Sequence, residues 1–215
     1  MDNAKIFTFA DDTAIIFHSN NWVGVVVATQ RGLSTVMKWL QQNLLTLNAS
    51  KTKYIPFKIS KRIEPENPLR VKLHSCNYLD SNSCQCVEIE KVDCIKYLGV
   101  LIDNQLSWSK QIGAVTTRVR KLMFVFKNLR NIADHNTIRC VYFALCQSIL
   151  SYCIVAWGVA TKSHLIKLER AQRGILKVAF AKPFRYPTDR LYQDCKVLRG
   201  RAAVKKKILQ IAVAR

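Results

Sequence analysis

Ile6-Phe7-Thr8-Phe9-Ala10-Asp11-Asp12-Thr13-Ala14-Ile15-Ile16-Phe17 sets the reading of the first half of the chain. Apolar runs at Ile6–Phe9 and Ala14–Phe17 flank an acidic pair, the pattern of two short strands around a carboxylate-bearing turn. Adjacent carboxylates repel, so ionising both is costly unless a cation lies between them and a substrate. Hard oxygen ligands with open positions suit Mg2+ or Mn2+ bridging to phosphates. Two such ions about 3.5–4 Å apart stabilise the attacking and leaving oxygens of phosphoryl transfer. A plain hairpin turn selects the same residues, because Asp favours turns on its own account. Phe9-Ala10-Asp11-Asp12 taken alone does not choose between the two.

Outward from the pair, Val26, Leu33, Val36, Met37, Leu40 and Leu44 fall at three- and four-residue spacings and predict a helix. Leu45–Asn48 and Tyr54–Ile59 then read as a strand or loop-strand pair around Ala49-Ser50-Lys51-Thr52. Glu64–Pro68, with Pro65 and Pro68, reads as a loop. Val71–Leu73, Cys86–Ile89 and Tyr97–Ile102 are the remaining strand candidates, the last bracketed by Gly99 and Asp103-Asn104. His74, Cys76, Cys84, Cys86 and Cys94 suggest zinc, but paired Cys-x-x-Cys spacing is missing and the residues fall on apparent strands.

The second half is helical. Ile112, Val115, Val119, Leu122, Phe126 and Leu129 form one amphipathic stripe, and Arg118, Arg120, Lys121, Lys127 and Arg130 stand off it. Asp134 or Asn136 is the N-cap of a second helix carrying Ile138, Val141, Tyr142, Leu145, Ile149 and Tyr152. A third runs from about Ser163 to Val178 and stops before Pro183, and Lys205-Lys206-Lys207 sits in a last helix. Trp108, Tyr152 and Trp157 read as core residues rather than base-stacking platforms.

Composition agrees with a folded chain. Of 215 residues, 49% are apolar and 22% charged, which excludes wholesale disorder. The net charge is +20, and residues 101–215 hold 22 basic against 5 acidic residues, a net of +17. That excess calls for a polyanionic partner, nucleic acid first and anionic membrane second. No apolar run approaches the roughly 18 residues of a spanning helix. Eight cysteines without a secretory signal read as reduced thiols, so an intracellular protein, nuclear or cytoplasmic, is expected. The change of pattern near residue 108 divides the chain into an α+β portion, 1–108, and a basic helical portion, 109–215.

The order of the motifs adds more than any one of them. Phe9-Ala10-Asp11-Asp12 is followed by the helix, then by Leu47-Asn48-Ala49-Ser50-Lys51-Thr52-Lys53, by Lys96-Tyr97-Leu98-Gly99-Val100-Leu101-Ile102-Asp103, and by Leu106-Ser107-Trp108. That series, continued through Ser148–Gly158 and Leu168-Glu169-Arg170-Ala171-Gln172-Arg173, resembles the reverse transcriptases of jockey-like non-LTR retrotransposons. The resemblance covers roughly residues 5–195. It implies an α+β fold: part of a polymerase palm, antiparallel strands plus a helix, followed by an all-α basic thumb.

The resemblance also implies roles. Asp11 matches the first carboxylate of the family's F/Y-x-D-D box, a ligand of the catalytic Mg2+ or Mn2+. Asp12 contributes to the metal environment less directly, and Phe9 fills the aromatic position. Lys51 matches the lysine of an L-x-L-N-x-x-K-T segment near the incoming deoxynucleotide triphosphate, where it would neutralise phosphate charge or protonate pyrophosphate, and Asn48 would position that loop. Tyr97, Leu98 and Gly99 match the primer grip, with Gly allowing close backbone approach. Arg118, Arg120, Lys121, Lys127 and Arg130 would contact the backbone of an RNA template and DNA primer.

The family's polymerases need a further metal-binding aspartate and a fingers region before the box, and here the box begins at residue 9. The chain is therefore expected to be a carboxyl-terminal fragment, or a degenerate copy, inactive by itself and with no cofactor of its own assured. Two classes of function stand: an RNA-directed DNA polymerase, with the chemistry done by a longer parent, and a non-catalytic basic nucleic-acid-binding remnant.

Overall fold

The computed structural model describes residues 4–57, 70–73 and 86–199. Glu64–Pro68, His74, Cys76, Cys84 and Lys205-Lys206-Lys207 lie outside the described residues, as does the end of the Tyr54–Ile59 stretch. The chain divides into two units, Met1–Gly99 with Asp103–Gln105, and Val100–Ile102 with Leu106–Arg215.

In the first unit, β1 (Ala4–Phe9) and β2 (Asp12–Phe17) form an antiparallel hairpin in which Phe9 faces Asp12, leaving Ala10-Asp11 as a two-residue loop. Ala10 enters the left-handed region at φ 51° to close so tight a connection. α1 (Trp22–Gln42) starts at Asn21, whose side chain accepts the Gly24 N–H at 2.7 Å. Its Gly32 is buried against the Phe17 ring of β2, and a Cβ there would overlap that ring.

α1 is tied to the rest of the unit through Gln30. Its Nε2 donates to the Lys72 carbonyl at 2.8 Å, and its Oε1 accepts the Lys72 N–H at 3.4 Å. Lys72 belongs to β4 (Lys72–Leu73), which pairs antiparallel with β5 (Val87–Glu88). β3 (Lys53–Tyr54) pairs parallel with β6 (Glu90–Lys91), with Lys53 Nζ 2.8 Å from Glu90 Oε2. Val71, Leu73 and Ile89 are buried together, and Leu33, Met37, Leu47, Ala49 and Tyr54 pack around them. This is a small core.

Two expectations change here, and one pair of alternatives is decided. Leu44 is not on the packed face of α1; it lies beyond the Asn43 cap with φ 56° and is 94% exposed. Residues 45–48 are the loop of the loop-strand alternative and lead directly into the Ala49–Lys51 turn before β3. Tyr97–Ile102 is not one strand. β7 (Cys94–Tyr97) and β8 (Val100–Asp103) pair around Leu98 and Gly99, whose φ values of 45° and 79° are those of a tight hairpin turn.

The second unit is helical. α2 (Ser109–Lys121) and α3 (Met123–Leu129) are separated only by a tightened turn at Leu122, whose N–H reaches the Val119 carbonyl at 3.1 Å. Asp134 caps α4 (His135–Val141), accepting the Asn136 and Thr137 N–H groups at 3.2 Å each. A π-helical segment, Tyr142–Gln147, leads into α5 (Ser148–Ser151) and, after a break, α6 (Ile154–Trp157). α7 (Lys162–Ala179) packs along α2 and α3, and α8 (Thr188–Asp194) packs on α7.

The core is built from the stripe residues Ile112, Val115, Val119 and Phe126 together with Tyr142, Trp157, Ile175, Leu176 and Leu191. Burial of so many large side chains supplies most of the favourable free energy of this unit. The helix expected to continue through Tyr152 ends at Ser151. Tyr152 is extended at ψ 121°, Cys153 is left-handed at φ 49°, and Tyr152 is 51% exposed rather than core. Trp157 is fully buried and satisfies its indole N–H on the Tyr152 carbonyl at 2.8 Å. Trp108 lies at the core margin with φ 62°.

Candidate functional site

The acidic pair sits where the hairpin presents it best to solvent. Asp11 is in the two-residue loop, Asp12 opens β2, and both are exposed. Among the described residues neither carboxylate is hydrogen-bonded or ion-paired. Phe9, opposite Asp12, is 66% exposed, and Ile6, Phe7 and Ile16 are about half exposed, so neither face of the hairpin is fully covered.

The donor chemistry fits a hard divalent cation, since two charged oxygen ligands stand open. Their number does not complete a site. Among the described residues no group of three His, Cys, Asp or Glu side chains could hold a metal ion. Cys94 is a free thiol.

Asn48 organises the loop between α1 and β3. Its Oδ1 accepts from Ser50 Oγ at 2.7 Å and from the Lys51 N–H at 3.2 Å, and its carbonyl accepts the Thr52 hydroxyl at 2.9 Å. The result is a compact turn that leaves the Lys51 side chain exposed. Leu98 and Gly99 form the β7–β8 turn, with Tyr97 as the last residue of β7. Phe9, Asp11, Asp12, Asn48, Lys51, Tyr97, Leu98 and Gly99 all belong to the first unit, on three separate turns. No hydrogen bond or ion pair among the described residues joins the Asp11–Asp12 turn to Lys51.

The basic residues belong to the second unit. Arg118, Arg120, Lys121, Lys127 and Arg130 are all exposed on α2, α3 and the α3 cap. Arg130 also reaches the Val178 carbonyl at 3.5 Å. Lys110, Lys162 and Lys167 are exposed as well and were not singled out by motif; only the overall charge pointed to them. Asp134, by contrast, has its carboxyl held below the ordinary range by hydrogen bonds from Thr137 and Asn136 and is structural. No helix among the described residues is long and apolar enough to cross a membrane.

The chain's homologues are RNA-directed DNA polymerases of jockey-like non-LTR mobile elements. The chain is 24% identical over 200 residues to the RNA-directed DNA polymerase from mobile element jockey of Drosophila melanogaster, covering 91% of this chain. It is 25% identical over 198 residues to the protein of the same name from Drosophila funebris, covering 89%. It is 24% identical over 194 residues, again 89% of the chain, to "Probable RNA-directed DNA polymerase from transposon BS" of Drosophila melanogaster. The chain spans about a fifth of the length of these curated relatives. No family model and no solved structure matches it.

Proposed function

We propose that this chain is a segment of an RNA-directed DNA polymerase and carries part of its nucleotidyl-transfer site. In this reading the first unit is the carboxyl-terminal part of the palm and the second is the thumb. Asp11 would ligate the catalytic Mg2+ or Mn2+, with Asp12 contributing to the metal environment less directly and Phe9 in the aromatic position ahead of the pair. Lys51, on the loop held by Asn48, meets the triphosphate of the incoming nucleotide. The Tyr97-Leu98-Gly99 turn approaches the primer end, where the absence of a Cβ on Gly99 permits close backbone contact. Arg118, Arg120, Lys121, Lys127 and Arg130 hold the phosphates of template and primer.

The observation that carries the reading is the open Asp11-Asp12 pair at the tip of a tight hairpin. Asp134 is hydrogen-bonded into a helix cap, whereas Asp11 and Asp12 have no protein partner among the described residues and are open to a ligand. Two adjacent carboxylates supply too few ligands for a two-ion site, so the remaining ones come from the rest of a longer polymerase. Primer extension by a full-length polymerase containing this segment, with and without Asp11→Asn, tests the assignment. Loss of extension with template binding retained supports it, and near-normal extension refutes it.

The second reading, a basic module that binds nucleic acid without catalysis, is favoured by the +17 charge of residues 101–215. It requires no metal. Template binding that survives Asp11→Asn, in a protein whose extension was never detectable, is its signature.

A further inference from the structure

Phe124 stands outward on α3 and is 73% exposed, although the same helix buries Phe126 completely. At 100° per residue it lies opposite the buried stripe of Val115, Val119 and Phe126, so no repacking within the helix can cover it. Its neighbours on that outer face are Thr117, Arg120, Lys121, Lys127 and Asn128, all exposed. Arg120 and Lys127 lie one turn before and one turn after it, about 6 Å and 4.5 Å along the axis by the helical rise. No acidic residue occurs from Asn104 to Ala133, a stretch that holds six basic ones.

We infer that Phe124 is a stacking platform for an unpaired base, with Arg120, Lys121 and Lys127 taking the phosphates on either side. This rests on the nucleic-acid reading above and narrows it to a single-stranded segment. An aromatic face held out among cations, with no carboxylate on its own two helices, is how single strands are gripped without sequence preference. In a duplex the bases are stacked on one another and would offer the ring nothing beyond the phosphates.

Binding of the full chain to a fluorescent oligouridylate and to a duplex of equal phosphate number, each across a salt series, tests this. Phe124→Ala is expected to weaken the single strand by about 5- to 160-fold, the usual effect of losing one base–aromatic stack. It should leave duplex affinity and both salt slopes unchanged, and Phe124→Tyr should restore single-strand binding. An unaltered melting temperature is expected because the ring contributes nothing to the core. Equal loss on both ligands, or no loss on either, overturns the platform while the basic nucleic-acid surface stands. Failure of the unsubstituted chain to bind either oligonucleotide, or binding only to phosphatidylserine vesicles, overturns both.

Discussion

Gln172 Nε2 donates to Tyr142 Oη at 2.9 Å in the middle of the helical core, and Gln172 Oε1 accepts from Tyr192 Oη at 3.3 Å. One amide from α7 thus satisfies two buried hydroxyls from segments 30 and 20 residues away. Gln172 Nε2 also reaches the Leu198 carbonyl at 3.2 Å. Buried polar groups are tolerated only when paired, so Gln172 is the main support of both tyrosines, with Tyr142 Oη also donating to Gln147 Oε1 at the longer distance of 3.5 Å.

Gln172→Leu should therefore destabilise the chain by about 1–3 kcal/mol, the range for stranding buried hydroxyls. Urea unfolding measures it. Adding Tyr142→Phe should recover part of the loss, because a hydroxyl left with only its long bond to Gln147 is then gone. A double variant less stable than Gln172→Leu alone would show that the amide acts by packing.

Stability should fall at alkaline pH. Burial pushes the Cys146 thiol from its ordinary 9.0 up to about 12 and the Cys195 thiol up to about 11, and raises the Tyr142 and Tyr192 hydroxyls well above their ordinary 10.0. Between the ordinary and the raised values the unfolded chain has lost these protons and the folded chain has kept them. The stabilisation is complete below about pH 9 and declines as pH rises through that window, by up to about 1.4 kcal/mol per unit for each group. Unfolding free energies at pH 8, 9.5 and 10.5 check the direction. In the native protein iodoacetamide should modify exposed Cys140 and Cys153 first and spare Cys146 and Cys195.

Asp11→Asn in a full-length polymerase containing this segment should reduce extension by several orders of magnitude, since a metal-binding charge is lost while turn preference is kept. The 215-residue chain alone should show no Mg2+-dependent incorporation. Template-dependent synthesis by the purified chain would require a complete ligand set that two adjacent carboxylates do not provide.

Nucleic-acid binding should be strongly salt-dependent. If the five exposed cations Arg118, Arg120, Lys121, Lys127 and Arg130 each neutralise one phosphate, log affinity falls with log salt at a slope of about −4 to −5. Arg118→Ala with Lys121→Ala should lower that slope by up to about two units, equally for all sequences. A slope unchanged by the pair would remove these residues from the interface.

The hairpin at Asp11, α1, the α2–α3 stripe, the Asp134 cap and α7 were legible in the residues because each rests on local periodicity, turn chemistry or capping within a few positions. The acidic pair and the basic surplus were equally plain, being composition at known places. What tertiary structure alone decided turns on single backbone angles and long-range pairing. Leu98, Cys153 and Leu44 take left-handed angles, which ends one run as a hairpin, breaks another helix and puts an apolar residue into solvent. Such angles are uncommon for residues with a Cβ, and no periodic pattern announces them. The two-residue strands β3 and β6 pair across 37 positions, and Gln30 joins α1 to β4 across 42. Phe126 is on the periodic stripe of α2 and α3 and Phe124 is off it, so which ring turns inward was legible as well. Only the tertiary packing, with α7 laid on the stripe side of α3, buries Phe126 completely and leaves Phe124 73% exposed.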